Sequence, residues 1–400
     1  MTISTTGSQA ELVERHRHVL MKNLGTPLRV FVRGEGSYVW DADGNRYLDL
    51  LAGIAVNALG HAHPQVLGAI SAQLSTLGQV SNYFATPTQI GLAERLAAMV
   101  TLNAPERPAR VFLCNSGTEA NEAGFKLARL TRRPRIIAME GAFHGRTMGA
   151  LAITANPAYR QPFEPLPGGV TFVPYGDVDA LAAELDETVA ALVMEPIQGE
   201  NGVVDPGQDF LVKARELTAA TGTLLWLDEI QTGIGRCGDW LASTPSGVCA
   251  DIVTLAKGLG NGFPIGACVA SGRASELFGP GAHGSTFGGN PVAAAAGLAV
   301  LSIIERDGLL AHVREVGDSF AAALEGLNHP MIAQVRGRGL LRGVVLTHPV
   351  AGAVAAAALD GGFVINAPRA NVLRIAPPLN ITADQLDSFV AALPGFLDVQ

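Results

Sequence analysis

Between about residues 91 and 301 the chain repeats one pattern. A short continuous apolar run is followed by glycine or polar residues and then by a stretch of helix length. The apolar runs fall at 109–114, 135–139, 170–173, 190–194, 223–227, 252–255 and 266–270. Runs apolar on both faces have to be covered on both sides, which is the condition of a mainly parallel sheet between layers of helices. In such sheets ligands gather beyond the carboxyl ends of the strands. The residues that follow each run are therefore the ones to read for chemistry.

The flanks differ from this middle. A polar lead and a helical stretch at 11–20 precede 29–33, 37–40 and 46–50, which read as a small antiparallel meander with turns at Gly34 to Gly36 and at 41–44. Pro64 opens a helix to about residue 77. Beyond a helix at 293–306, the tail reads as a helix at 310–324, strands at 332–336 and 340–346, and an alanine-rich helix at 351–359. A strand at 372–375 and a last helix from Thr382 complete it. The expectation is an α/β protein whose large domain, 66–305, holds a seven-stranded, mainly parallel sheet. A small α+β domain would be built from 306–400 together with the N-terminal segment 1–65.

Hydrophobic residues make up 48% of the 400 and charged ones 16%, which excludes intrinsic disorder. A net charge of -8 argues against a nucleic-acid partner. No apolar run reaches membrane-spanning length and the first ten residues lack an apolar core, so neither a membrane nor a secretory role is expected. Cys114, Cys237, Cys249 and Cys268 are far apart with no CxxC spacing, which fits reduced thiols in the cytoplasm. His61 and His63 have no carboxylate or thiol set around them and read as loop residues, so no metal site is expected. A mean hydropathy of +0.27 is high for a soluble chain and leads us to expect buried interfaces between subunits.

Four strand ends carry distinctive clusters. Lys257 follows an apolar run and enters a glycine-rich turn, Gly258-Leu-Gly-Asn-Gly262. That placement suits a partly buried, reactive amine of the Schiff-base kind, although Ala-Lys-Gly also occurs at ordinary turns. The lysine precedes the glycines, so this is no Walker loop. Asn115-Ser-Gly-Thr-Glu-Ala-Asn121 turns into a helix whose N–H groups and hydroxyls could hold a phosphate, or simply cap the helix. Phe143-His-Gly-Arg146 offers an aromatic face and a guanidinium able to clamp a carboxylate. Asp228 ends the run containing Trp226 and needs a cation beside it, such as a protonated pyridine; a helix cap or a structural salt bridge are the plainer readings. It lies 29 residues before Lys257, one strand-helix-strand step. Gly284-Ser-Thr-Phe-Gly-Gly-Asn-Pro291 offers a second nest for an anion.

A phosphate cup, a stacking face, an aspartate for a pyridinium and a lysine for a Schiff base are together the set that pyridoxal 5'-phosphate requires. With Glu195-Pro-Ile-Gln-Gly-Glu200 and Leu227-Asp-Glu-Ile-Gln-Thr-Gly233, these motifs make the chain, from about residue 20 onward, resemble the class III aminotransferases of fold-type I pyridoxal-phosphate enzymes. Through Gly53-Ile-Ala-Val-Asn-Ala-Leu-Gly-His61 and Arg374-Ile-Ala-Pro-Pro-Leu379 it is similar to the branch acting on N-acetylornithine.

The resemblance implies that Lys257 holds the cofactor and shuttles the proton, while Asp228 keeps the pyridine nitrogen protonated. Ser116, Gly117 and Thr118 would bind phosphate, with Thr286 supplied by a neighbouring subunit of a homodimer with shared sites. Phe143 would stack on the ring, Gln231 would meet its phenolic oxygen, and Glu229 and Ile230 would adjoin it. Arg146 and Ser285 would bind the carboxylate end of N-acetylornithine. Arg374 would take the α-carboxylate of glutamate or 2-oxoglutarate, with Glu200 covering it in the other half-reaction. The activity implied is a cytoplasmic transamination in arginine biosynthesis.

Rivals share the fold. Ornithine δ-aminotransferases typically carry a tyrosine where Gly53 stands here, and its absence leaves room for an acyl group. Succinylornithine, succinyl-diaminopimelate, ornithine and 4-aminobutyrate remain possible substrates of the same chemistry. An aminomutase would not need Arg374 and Glu200, and a non-catalytic binding protein would not need Lys257 beside Asp228. A nicotinamide dehydrogenase lacks support, since no GxGxxG follows the first strand of an alternating unit.

Overall fold

The computed structural model describes residues 6–398. Three strands, β1 (Phe31–Glu35), β2 (Tyr38–Asp41) and β3 (Arg46–Asp49), form the antiparallel meander near the N-terminus. The central sheet follows, with β4 (Ala109–Cys114), β5 (Arg135–Met139), β6 (Val170–Val173), β7 (Val189–Met194), β8 (Leu224–Asp228), β9 (Ile252–Leu255) and β10 (Gly266–Ser271). Their spatial order is β4-β10-β9-β8-β7-β5-β6. Every residue of β7, β8, β9 and β10 is buried, so the absence of polar alternation in these runs reflects helices on both faces.

β10 runs antiparallel to both its neighbours, whereas the other pairs of the sheet are parallel. Reversal has a useful result. Gly266 at the start of β10 pairs with Cys114 at the end of β4, so the segment leading into β10 reaches the same edge as the carboxyl ends of the rest.

The helix Gly117–Leu130 packs across this sheet. Its Gly124 leaves the space that the buried Trp226 ring of β8 fills, and a Cβ there would collide with it. The Trp226 Nε1–H donates to Thr254 Oγ1 of β9 at 3.2 Å, so the ring is satisfied as well as packed.

The C-terminal part holds β11 (Ile332–Arg338), β12 (Leu341–Leu346), β13 (Phe363–Val364), β14 (Asn366–Arg369) and β15 (Val372–Ile375), with helices Leu309–Gly326, Ala351–Asp360 and Ala383–Leu397. The order β11-β12-β15-β14 makes one sheet, and β13 leaves it to pair in parallel with β3. Neither β13 nor β14 is legible as a strand, β13 being two residues long and β14 containing Pro368. On the β13–β3 pairing we propose that 1–65 joins 306–400 as one small domain around 66–305.

After β3 the backbone enters a left-handed turn. Ala52, Gly53, Ile54 and Ala55 have φ of 50°, 66°, 66° and 61° in succession. Each non-glycine residue there costs about 1–2 kcal/mol, and Ile54 is β-branched as well. Contacts from outside hold it. Asp49 Oδ1 accepts the N–H groups of Leu51 and Ala52 at 3.1 and 2.8 Å, and Asp49 Oδ2 meets His61 Nε2 at 2.8 Å. Further on, Leu59 N–H donates to Asn261 Oδ1 at 2.7 Å. His61 is thus occupied in fixing the loop.

At the opposite edge of the sheet Asp251, itself buried, joins three elements. Arg107 and Arg215 both pair with it, Arg215 Nη1 at 2.7 Å, and Leu225 N–H donates to its Oδ2 at 2.8 Å. Removing the carboxylate deprives two guanidinium groups of their counter-ion and leaves a backbone donor without a partner. Asp251→Ala should therefore lower the unfolding free energy by about 3 kcal/mol. Urea unfolding measures this, and a midpoint equal to that of the parent chain would contradict the assignment of Asp251 as the pin of this edge.

Candidate active site

A cavity of about 400 Å³ opens where the strand ends converge, within the usual range for a small-molecule site. Its walls come from Ser116, Gly117 and Thr118 after β4, Phe143 to Arg146 after β5, Glu195 after β7, and Asp228, Ile230 and Gln231 at and after β8. Lys257 after β9 and Gly262 to Ile265 leading into β10 complete it.

Asp228 is the last residue of β8 and is buried. Its Oδ2 accepts from Asn121 Nδ2 at 2.8 Å and meets His144 Nδ1 at 2.7 Å, while Oδ1 accepts the Ile230 N–H at 3.0 Å. Burial alone would depress the His144 pKa, but the hydrogen bond and charge of Asp228, with Glu195 adding to them, raise it above the usual imidazole value. A carboxylate so held presents negative charge to the cavity without swinging away from it. The plainer reading of Asp228 as a structural salt bridge is met by its pairing with His144, and the residue lines the cavity as well.

Lys257 sits two residues beyond β9 with φ of 45°, at the head of the turn Lys257–Gly260. Asn261 anchors that turn, its Nδ2 donating to Gly60 O at 3.0 Å. Burial lowers the Lys257 pKa and nearby Arg374 lowers it further, against Glu200, Asp228 and Glu195, which raise it. More of the amine is neutral and nucleophilic at working pH than for a solvated lysine.

Ser116 caps the helix Gly117–Leu130, its hydroxyl accepting the Glu119 N–H at 3.3 Å. The first N–H groups of the helix remain free to meet an anion. Gly117 fits closely over Ile230, where a Cβ would press on that side chain at 2.9 Å. The Thr118 and Thr147 hydroxyls lie 2.8 Å apart at the same end. Phe143 lines the cavity and meets Tyr159 edge to face, with centroids 6.3 Å apart. Arg146 is exposed on the wall, its Cζ 3.6 Å from the Tyr159 ring centroid.

Behind Gln231 lies Arg374, fully buried on β15. Its Nη1 donates both to Glu200 Oε1 and to Gln231 Oε1, the latter at 3.2 Å, and its Nε donates to Asn366 Oδ1 at 3.1 Å. Nη2 is buried without a partner. Burial would raise the Glu200 pKa, but the Arg374 charge and hydrogen bond prevail and lower it. A buried guanidinium donor left unpartnered in this way needs an explanation in what the site binds.

Three expected site residues are elsewhere within a single chain. Glu229 turns away from the cavity into the fold, where its carboxylate accepts from Thr232 and Ser243 hydroxyls and from the N–H groups of Ala242 and Ser243 at 3.0 and 2.9 Å. Alternation along the chain at the strand end explains this correction, since Asp228 and Glu229 point opposite ways. Ser285 and Thr286 do not reach this cavity either. The Ser285 hydroxyl accepts from Asn115 Nδ2 at 3.1 Å and from Gly288 N–H at 3.0 Å, and Thr286 O accepts from Gln79 Nε2 at 2.6 Å.

Sequence reading passed over His144, Asn121 and Glu195 as functional groups, although all three lie within the quoted motifs. No spacing along the chain reveals that His144 and Asn121 converge on Asp228; the sheet brings them there. The residues present fit pyridoxal phosphate: a helix N-terminus for the phosphate, an aromatic wall, a fixed carboxylate and a buried lysine amine whose pKa is lowered by that burial. Of the four lysines, Lys22, Lys126, Lys213 and Lys257, only the last lines the cavity. Brief reductive trapping with an aromatic aldehyde near pH 8 should modify Lys257 before the others, as peptide mapping will show. Equal labelling of Lys213 would contradict the depressed pKa.

Known proteins resemble this chain over nearly its whole length. The family model described as Aminotransferase class-III matches residues 20–397. The acetylornithine aminotransferase of Streptomyces coelicolor is 55% identical over 392 residues, covering 98% of this chain and 96% of its own. Among solved structures, the ornithine aminotransferase of Toxoplasma gondii superposes with a TM-score of 0.93 at 32% identity, covering 99% of this chain and 96% of that one. The acetylornithine aminotransferase of Elizabethkingia anophelis gives 0.87 at 31%, covering 99% and 100%.

Proposed function

The chain belongs to the class III aminotransferases, and from that membership we propose that its cavity moves the δ-amino group of N2-acetyl-L-ornithine to 2-oxoglutarate, giving N-acetyl-L-glutamate 5-semialdehyde and L-glutamate. It is a pyridoxal 5'-phosphate-dependent aminotransferase. The observation that carries the substrate reading is the guarded second arginine: Arg146 is open in the wall, while Arg374 is buried under Glu200 with one donor unpartnered.

Bound pyridoxal phosphate supplies an electron sink and carries the amino group between the two half-reactions. The start of the helix Gly117–Leu130, with Ser116, Gly117 and Thr118, would hold its phosphate. Phe143 would face the ring and Asp228 would accept the ring N–H. Ile230 would pack beside the ring and Gln231 would reach its phenolic oxygen while still touching Arg374. Lys257 would take the proton from the carbon bearing the amino group and return it at the far side of the transfer. Arg146 would pair with the carboxylate of N-acetylornithine. Glu200 neutralises Arg374 while that substrate is bound and releases it to glutamate or 2-oxoglutarate. Gly53, without a side chain in the left-handed turn beside Val56 of the cavity wall, leaves the acyl end unobstructed.

Ser285 and Thr286 enter this reading through a second copy of the chain. Both backbones are tied to the 79–82 loop, and Tyr83, Phe84 and Phe287 beside them are 94%, 66% and 62% exposed, a set of apolar side chains that suits an interface. A homodimer would bury them and bring Thr286 to the partner's phosphate and Ser285 to its substrate. The cytoplasm and arginine biosynthesis are the setting proposed for it, with no nucleic acid or membrane as partner. Among the described residues no helix is long and apolar enough to cross a membrane.

Two measurements test the reading. Titrating the visible band of the holoenzyme with N-acetylornithine, ornithine and 4-aminobutyrate separately should show the first acting at far lower concentration; if another amine wins, the substrate assignment goes and the chemistry stays. Glu200→Ala should slow the half-reaction with N-acetylornithine by about 10-fold or more, because an uncovered Arg374 disfavours it, and should leave the glutamate half-reaction far less affected. Equal losses in single-turnover measurements of both halves would reject the guarding role.

A further inference from the structure

Glu195 follows β7 and faces the cavity, 5% exposed, yet nothing in the proposed reaction uses it. Its position is fixed from both sides. Oε1 accepts the Phe143 N–H at 3.0 Å, and its carbonyl accepts the Tyr175 O–H at 2.6 Å. Among the described residues it makes no ion pair. A buried, unpaired carboxyl is costly to ionise. Burial pushes this one up to about 7; Asp228 adds to the rise, while His144, the Phe143 N–H and Lys257 oppose it. Behind Gln231 lie Glu200 and Arg374, whose charges are matched to each other.

We propose that Glu195 is a positioning residue for the bound cofactor. Its carboxyl fixes the backbone at Phe143, and with it the aromatic face, and it supplies the cavity with a second negative charge, besides Asp228, that stabilises positive charge at the Lys257 nitrogen. The inference rests on the cofactor reading above. A structural carboxyl would serve the first task in either protonation state, but only an ionisable one serves the second.

Two variants separate these tasks. Glu195→Gln retains an oxygen for the Phe143 N–H and cannot ionise; Glu195→Ala removes the acceptor as well. For the holoenzyme reconstituted with pyridoxal phosphate, the visible band is followed against pH. In Glu195→Gln the midpoint of that titration should fall by on the order of one pH unit, because a positive nitrogen loses a neighbouring negative charge, while cofactor retention on dialysis stays that of the parent. In Glu195→Ala retention should also drop about 10-fold and the induced circular dichroism of the bound chromophore should weaken. A parent enzyme with its band and a Glu195→Gln midpoint that has not moved overturns the charge role and so the proposal. A parent chain that develops no band at all removes the cofactor reading and this inference with it.

Discussion

A carboxylate buried at the end of an apolar strand has to be given partners, and the Asp228 cluster shows what that demand organises. His144 arrives from the loop after β5 and Asn121 from the helix after β4, so one side chain on β8 ties together three of the elements that wall the cavity. Asn121 Nδ2 also donates to the His144 carbonyl at 2.6 Å, and Thr154 Oγ1 accepts the His144 N–H at 2.9 Å. The network is inward-looking and presents the Asp228 carboxylate to the cavity, although Asn121 Oδ1 and His144 Nε2 are buried without a partner among the described residues. The cavity walls take their positions from that network.

The central sheet was legible because burial on both faces leaves an unmistakable trace, a run with no polar alternation. All seven runs became strands, and Lys257, Asp228, Phe143 and the Ser116 to Thr118 turn came together at one edge. Direction was not legible strand by strand, since an apolar run such as 266–271 reads alike whether it runs with its neighbours or against them. Nor was side-chain orientation: Asp228 and Glu229 are adjacent carboxylates, and only the register of β8 decides which faces the cavity.

Arg374 shows a different limit. It stands in an apolar strand near the C-terminus, and its likeness to the family motif pointed to it before geometry could. What the fold adds is that one guanidinium nitrogen serves both Glu200 and Gln231 while another has no partner. Gly199 makes this possible, because any Cβ there would collide with the Gln231 amide. On the reading proposed for this site, the residues that respond to substrate charge and the one that meets the ring's phenolic oxygen would be in direct contact.

The left-handed turn at Ala52 to Ala55 depends on Asp49, itself held by His61, and on Asn261 just beyond it, as well as on its own backbone hydrogen bonds. It is therefore not a portable module. Exchanging residues 52–57 between relatives to alter acyl preference would transplant the letters without the scaffold that bends them, and the segment would relax toward an ordinary right-handed turn. If the turn bounds the acyl end as proposed, its shape would be inherited as a set spread over some two hundred positions of chain, which makes the loop a poor unit for recombination.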